Sequence, residues 1–337
     1  MKKTSALLAA LGLAAFAVAA DAAPFKLIVT ETTTPVVPNS VMDLAVGLGF
    51  YKKAGVDVEL VRVQQTPSAV AALKSGSGDM ANIGFDAALQ LVARDQMKLK
   101  GVISPDKALP FVIAAKKEFN TVKALEGRSF GVGRVGSLDY NLSRLVLAKL
   151  GADIGKVDYV ALGQPNVRGQ ALAAGRIDAT TVSIGVWESI PDKSKLHVLV
   201  GQAKYYAAAP LISKLNVVTE ETAKTKAKEV EGVVKGIILA SRDFVRHPAH
   251  WVDAMAKARP DVKRETLEFL AKAYKESWSA NGGLDIAAAK YTTESLYQGK
   301  DFEGLRRVPV SEWIDTSFVD KVLKANGKVA NIDMAGR

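Results

Sequence analysis

The 337-residue sequence predicts an α/β protein of two similar lobes followed by a helical tail. Three observations predict it. Short strand-like runs alternate with amphipathic helical runs from residue 25, the rhythm of a parallel α/β architecture. The alternation starts afresh near residue 127. From Thr219 onward only helical periodicity remains.

The first half reads in order. Phe25 to Thr30 is a strand, and a Thr/Pro-rich loop covers Glu31 to Asn39. Ser40 to Lys53 carries apolar residues at helical spacing and ends before Gly55. Val56 to Val63 alternates apolar and polar residues, the period of a strand. Pro67 to Ser75 is a helix stopped by Gly76, Met80 to Ile83 a strand, and Asp86 to Asp95 a helix. In the second half Arg128 to Val132 is a strand and Leu138 to Leu150 a helix stopped by Gly151. Val157 to Leu162, Val167 to Ala174 and Asp178 to Ser183 follow as strand, helix and strand. Ala72-Leu73-Lys74-Ser75-Gly76 leading to Asp79 resembles Ala171-Leu172-Ala173-Ala174-Gly175 leading to Asp178, at the same stage of each half. The tail opens with a helix from Ala223 to Arg246, apolar along Val230, Val233, Val234, Ile237, Ile238 and Phe244. Pro248, Pro260 and Asn281-Gly282-Gly283 divide the remainder into short helices that pack back onto a lobe.

The front end and the composition narrow the function. Lys2 and Lys3, an apolar run from Ala6 to Ala20, and Ala20-Asp21-Ala22 have the form of a secretory signal peptide cleaved near Ala22. The run is shorter than the roughly 20 residues a membrane span requires. The chain has no cysteine, which excludes disulfides, thiolate ligands, cysteine nucleophiles and a lipid-modified cysteine. A periplasmic, soluble product is expected. The net charge of +10 suits an anionic ligand as well as nucleic acid. The basic residues are scattered, which argues against a nucleic-acid stripe.

The run Leu125-Glu126-Gly127-Arg128-Ser129-Phe130-Gly131-Val132, then Gly136-Ser137, Leu147 with Gly151, Val160 with Leu162-Gly163, and Ala171-Leu172 through Gly175 to Ile177-Asp178-Ala179, resembles the nitrate/sulfonate/taurine-type periplasmic binding proteins. That group includes binders of the thiamine pyrimidine precursor. Gly49-Phe50-Tyr51-Lys52-Lys53-Ala54-Gly55 running into Val56-Asp57-Val58 is a second match, and the resemblance covers roughly residues 25 to 250. It implies the type II periplasmic binding protein fold, two α/β lobes joined by two crossing hinge strands. The first lobe would hold residues 24–112 and 213–337, the second 113–212, with residues 1–22 as the signal peptide. Pro110 to Ile113 and Leu215 to Val218 would be the crossings. It further implies a monomeric solute-binding protein without cofactor, whose partners are a small ligand and an ABC permease of the inner membrane. A same-fold enzyme of the pyrimidine synthase type relies on cysteine, which is absent here. A binding module feeding a sensor would have the same sequence features.

Ligands of open α/β sheets bind beyond the carboxyl ends of the strands. The candidates in those loops are Thr32, Thr33, Thr34, Gln65, Thr66, Phe85, Asp86, Arg134, Gly136, Ser137, Gln164, Asn166, Ser183 and Trp187. Gly133 to Ser137 joins a strand to a helix start, where free amides and the helix dipole attract anions. There Ser137 is either an anion donor or a plain N-cap, and Arg134 either a ligand charge or a solvated one. A sulfonate, carboxylate or aromatic acid is the expected ligand. Asp86 is either an N-cap or, with Glu31, the partner of an ammonium, which would make the ligand zwitterionic. Phe85 and Trp187 are either stacking platforms or core. Gly131-x-Gly133-x-x-Gly136 imitates a dinucleotide fingerprint, but Asp153 precedes the next strand where the fingerprint needs an acid at its end. His247 and His250 lack the i, i+4 spacing of a helical zinc pair, and no metal site is expected.

Overall fold

The computed structural model describes residues 23–64, 66–106, 110–135 and 137–329. The expected signal peptide, Gln65 and Gly136 lie outside them. Ten strands form two five-stranded sheets. β1 (Phe25–Val29), β2 (Val58–Arg62), β3 (Met80–Gly84), β4 (Leu99–Ile103) and β10 (Lys214–Thr219) make the first, in the order β2-β1-β3-β10-β4. β5 (Phe111–Lys116), β6 (Ser129–Val132), β7 (Asp158–Ala161), β8 (Ala179–Ser183) and β9 (Leu196–Val200) make the second, in the order β7-β6-β8-β5-β9.

The two orders are the same pattern. In each sheet three parallel strands are followed by one antiparallel strand, β10 or β5, which carries the chain into that sheet from the other lobe. Each of these strands also slips register after its third residue, at Asn216/Val217 against β4 and at Ile113/Ala114 against β9. Matching irregularities of this kind are built features of a strand. The lobes are therefore two copies of one plan.

The segments expected as crossings, Pro110 to Ile113 and Leu215 to Val218, fall largely within β5 and β10, and Ile113 and Asn216 to Val218 are paired to neighbours on both sides. The described joining segments are residues 104–106 with Pro110, and residues 209–213. Each is tied to the start of a neighbouring helix, Phe85 N–H donating to Ser213 O and Ile184 N–H to Pro110 O. β5 begins at Phe111.

The helices run in chain order as α1 (Val41–Gly47), α2 (Phe50–Lys53), α3 (Thr66–Lys74), α4 (Phe85–Ala93), α5 (Leu138–Lys149), α6 (Pro165–Ala173), α7 (Ile184–Ser189), α8 (Gln202–Ala208), α9 (Glu220–Thr225), α10 (Ala227–Arg246), α11 (Pro248–Ala258) and α12 (Arg264–Ala273). α13 (Ile286–Tyr297), α14 (Val310–Trp313) and α15 (Ser317–Asn326) complete the tail. The single helix expected over Ser40 to Lys53 is broken, because Gly49 takes a positive φ of 72° and ends α1. β4, β9, α7 and α8 were not anticipated. The tail packs on both faces of the first sheet. Trp251, Trp278 and Phe318 join the core on one face, and Phe302, Val310 and Trp313 the core on the other.

α10 is the spine of the first lobe. Its expected face, Val230, Val233, Val234, Ile237, Ile238 and Phe244, is fully buried. Gly232 and Gly236 let it lie directly against the end of α2. A Cβ at Gly232 would come within 2.9 Å of Val56, and one at Gly236 would strike the Tyr51 ring. Tyr51 is itself buried, its hydroxyl donating to Met42 O. Gly236→Ala should therefore lower stability by about 1–3 kcal/mol through overpacking, despite the better helix propensity of alanine. Gly47→Ala, where a Cβ meets nothing within 4 Å, should leave stability unchanged or slightly raised. Chemical denaturation of the two variants beside wild type checks the contrast.

Candidate ligand cleft

The carboxyl ends of β1, β2 and β3 face those of β6, β7 and β8, and the loops leaving them meet between the lobes. Several contacts among the described residues join the two edges. Gln164 Nε2 donates to Gln64 O at 3.5 Å. Asn141 of α5 hydrogen-bonds the Asp86 carboxyl at the start of α4. Gly185 packs so close to Val36 O and the Tyr274 hydroxyl that it has no room for a side chain. Ile184 packs against the core of the first lobe.

The wall supplied by the first lobe is held from below. Asn39 Nδ2 donates to Asn82 Oδ1 at 3.1 Å, and Asn82 Nδ2 to Asn216 Oδ1 at 2.8 Å. This relay anchors the loop after β1 to the two central strands. Arg62 binds Asp43 at 2.6 Å and reaches Glu31 O at 3.4 Å. Arg259 Nη1 donates to Thr34 O at 3.2 Å. The Thr/Pro-rich loop is thus pinned at both ends.

Four acids sit in this wall. Burial raises the Glu31 carboxyl, with Lys214 pulling it down, Asp43 pushing it up and Arg259 opposing. Burial also raises Asp43, against the attraction and hydrogen bond of Arg62 and a hydrogen bond from Thr34. Burial pushes Asp86 up to about 6, helped by Asp301 and opposed by backbone amides and Asn141. Burial pushes Asp106 up to about 7, with Lys214 opposing. Asp106 Oδ1 has no hydrogen-bond partner among the described residues. Lys214 donates to Thr30 Oγ1 at 2.7 Å. Lys214 is the cation common to Glu31 and Asp106, and Arg259 also acts on Glu31. Both carboxyls remain raised because these cations do not offset the desolvation of the acids.

The wall supplied by the second lobe answers the question posed by Gly133 to Ser137. The chain fills the anion position itself. Asp139 Oδ2 accepts from Gly133 N–H at 2.7 Å, and its Oδ1 lies 2.7 Å from Ser137 Oγ. Arg168, 3% exposed, approaches Asp139 at 3.5 Å through Nη2, which also donates to Thr181 O, while Nη1 donates to Gly163 O and Nε to Thr180 Oγ1. Ser137 occupies the N-cap position of α5 yet receives no helix N–H, because its hydroxyl is engaged by Asp139 and Arg134 O.

The remaining candidates divide. Thr34, Thr66 and Gln164 are half-buried at the cleft, and Thr32, Thr33, Arg134 and Asn166 are exposed. Asp86 is buried where the lobes meet. Ser183 is the N-cap of α7, accepting from Val186 N–H at 3.2 Å. Phe85 and Trp187 are corrections to the stacking expectation. Phe85 is 0% exposed and packs edge-on against Trp313 at 4.9 Å. Trp187 is in the core of the second lobe beside Val112 and Ile190, with the Lys193 ammonium over its ring. Asp43, Asp106, Asn141, Asp139, Arg168 and Lys214 escaped sequence reading. Only Asp139 had a usable signal, an acid two residues after Ser137 in the first turn of a helix.

Comparison with known proteins places the chain. Residues 41–250 match the NMT1/THI5-like family. A relative from Brucella abortus (strain 2308), provisionally named a binding protein, is 30% identical over 160 residues, 48% of this chain and 47% of its own. The chain thus spans about half the length of the curated relatives it matches. The alkanesulfonate-binding protein SsuA of Xanthomonas axonopodis pv. citri, bound to MOPS, has a TM-score of 0.69 at 19% identity, over 89% of this chain and 100% of its own. The ligand-binding component of an ABC-type import system from Staphylococcus aureus, with zinc bound, has a TM-score of 0.69 at 16% identity, over 89% and 98%. Both share the two-lobed periplasmic binding protein fold found here. With well over half of its length matched, the chain belongs to the NMT1/THI5-like family.

Proposed function

We propose that this chain is the exported solute-binding component of an ABC importer. It captures a small molecule bearing a basic or hydrogen-donating nitrogen, as a cation or zwitterion, and passes it to a permease. The observation that carries the ligand class is a pair of acids, half-buried Glu31 and buried Asp106, that have Lys214 in common and stay raised despite it and, for Glu31, despite Arg259. A positively charged nitrogen supplies the missing cation. The family and the fold support the importer role. Among the described residues no helix is long and apolar enough to cross a membrane. Export rests on residues 1–22, and intact mass of periplasmic protein beginning just after Ala22 is the expected result.

The organic anion expected from the Gly133 to Ser137 turn is the second reading. The net charge of +10 and the exposed Arg134 favour it. Asp139 opposes it, since a ligand carboxylate or sulfonate at that turn would have to displace a carboxylate that Gly133 and Arg168 already hold. The reading in either form is one of capture and release between lobes, not catalysis.

A thermal-shift screen separates the two. Amines, amino acids and aminopyrimidines should raise the melting temperature, and sulfonates or carboxylates without a basic nitrogen should not. A ligand at about 100 times its Kd stabilises by about 2.7 kcal/mol, well within detection. Glu31→Gln should weaken the best nitrogenous hit by about 10- to 150-fold, the worth of a hydrogen bond to a charged group. Simple anions binding tightly, with Glu31→Gln unaffected, would establish the second reading instead.

The raised acids also give the cleft a pH dependence. Protonating Asp106 removes the charge that attracts the ligand nitrogen, so affinity for a cation should fall as pH drops through about 7. Stability runs the other way. An acid whose folded pKa lies above its unfolded value favours the fold below the unfolded pKa, and that contribution is lost as pH rises through the folded one. For Asp86 the window runs from about 4 to about 6. Each unit of elevation is worth about 1.4 kcal/mol, which makes the loss on the order of 3 kcal/mol. Melting curves between pH 4 and 8 for ligand-free wild type and Asp86→Asn should diverge, the variant keeping stability that wild type loses.

A further inference from the structure

We propose that Asp243, His247 and His250 form a divalent transition-metal site on the flank of the first lobe. None of the three belongs to the cleft. Asp243 lies in the last turn of α10, His247 is the residue shared by the end of α10 and the start of α11, and His250 is in the first turn of α11. One ligand atom from each of the three falls within 4.8 Å of the other two. His250 Nδ1 is 2.9 Å from Asp243 Oδ2, and His247 Nδ1 is 3.5 Å from Asp243 Oδ1. The two imidazole rings lie 5.0 Å apart between centres and are tilted by 31°. They approach the carboxylate from neighbouring directions.

The backbone explains how a spacing of three serves. Pro248 has no N–H and cannot continue α10, so the chain bends at His247 and a new helix begins. His247 N–H donates to Asp243 O at 2.7 Å, and His250 N–H donates to His247 O at 2.9 Å. These bonds fix the bend on both sides. Asp243 and His247 stand one helical turn apart, at i and i+4, and the bend brings His250 onto the same side. The sequence expectation weighed only the two histidines and missed the acid four residues before the first.

Two imidazoles and one carboxylate suit Zn²⁺ and its neighbours, with water completing the coordination. The Nδ1 atoms already point at the carboxylate. An ion would take the place of the protons between them, and each neutral ring would keep its hydrogen on Nε2. The side chains of Asp243, His247 and His250 are 24%, 58% and 55% exposed, so an ion reaches them without any opening of the fold. The last carbonyls of the 20-residue α10 add negative potential beside it.

The test is Zn²⁺ titration of the full chain carrying no histidine tag, by calorimetry and by melting temperature. Wild type should bind one ion per chain and melt higher with Zn²⁺, with chelator reversing the shift. His247→Ala and His250→Ala should each weaken binding at least tenfold, and Asp243→Asn should weaken it too. The two histidine variants should keep the ion-free melting temperature near that of wild type, since they alter exposed groups, and Asp243→Asn keeps the shape of a half-buried one. Binding should also fade on acidification, because histidine must be neutral to ligate. No saturable Zn²⁺ binding by wild type would overturn the proposal. Equal affinity in wild type and the His247→Ala/His250→Ala double variant would overturn it as well, by locating the ion elsewhere. Neither result bears on capture in the cleft.

Discussion

Everything in this molecule is arranged around two strands that run against their neighbours. β5 and β10 are each the fourth strand of a five-stranded sheet that they enter from the opposite lobe, and each is hydrogen-bonded on both sides. The described segments beside them, residues 104–106 and 209–213, carry Ser104, Asp106 and Ser213, and Lys214 begins the strand that follows. Asp106, pushed up to about 7 by burial, thus lies where the chain passes between the lobes.

The burial of those charges has a physical cost that their surroundings only partly meet. Asp43 has Arg62, and Asp139 has Arg168 with a backbone amide. Asp106 and Glu31 share Lys214. An unbalanced buried charge is tolerated when a ligand or a proton completes it. Charge is thus less evenly matched in the wall of the first lobe than in that of the second, although the two lobes share one topology.

The architecture was legible because it rests on periodicity. The Val56 to Val63 alternation, the apolar stripe of α10 and the stops at Gly76, Gly151 and Gly175 are local signals, and each produced its element. β4 was missed because Leu99-Lys100-Gly101-Val102-Ile103 interrupts its alternation with a glycine that makes room for Leu215 and Ile314. The break at Gly49 was missed because a positive φ leaves no trace in residue spacing. The cleft was legible as a set of loops but not as a set of contacts. Glu31 and Asp106 are 75 positions apart, and nothing in either neighbourhood says that both converge on Lys214. Phe85 and Trp187 misled because an aromatic after a strand end looks the same whether it turns toward solvent or under the sheet.

Asp139 has a consequence of a different kind. A bare helix start with an adjacent arginine collects free anions. Here that seat is taken by a tenant that cannot leave, being covalently part of the chain, so an inorganic anion would have to displace Asp139 from Gly133 and Arg168 before it could settle there.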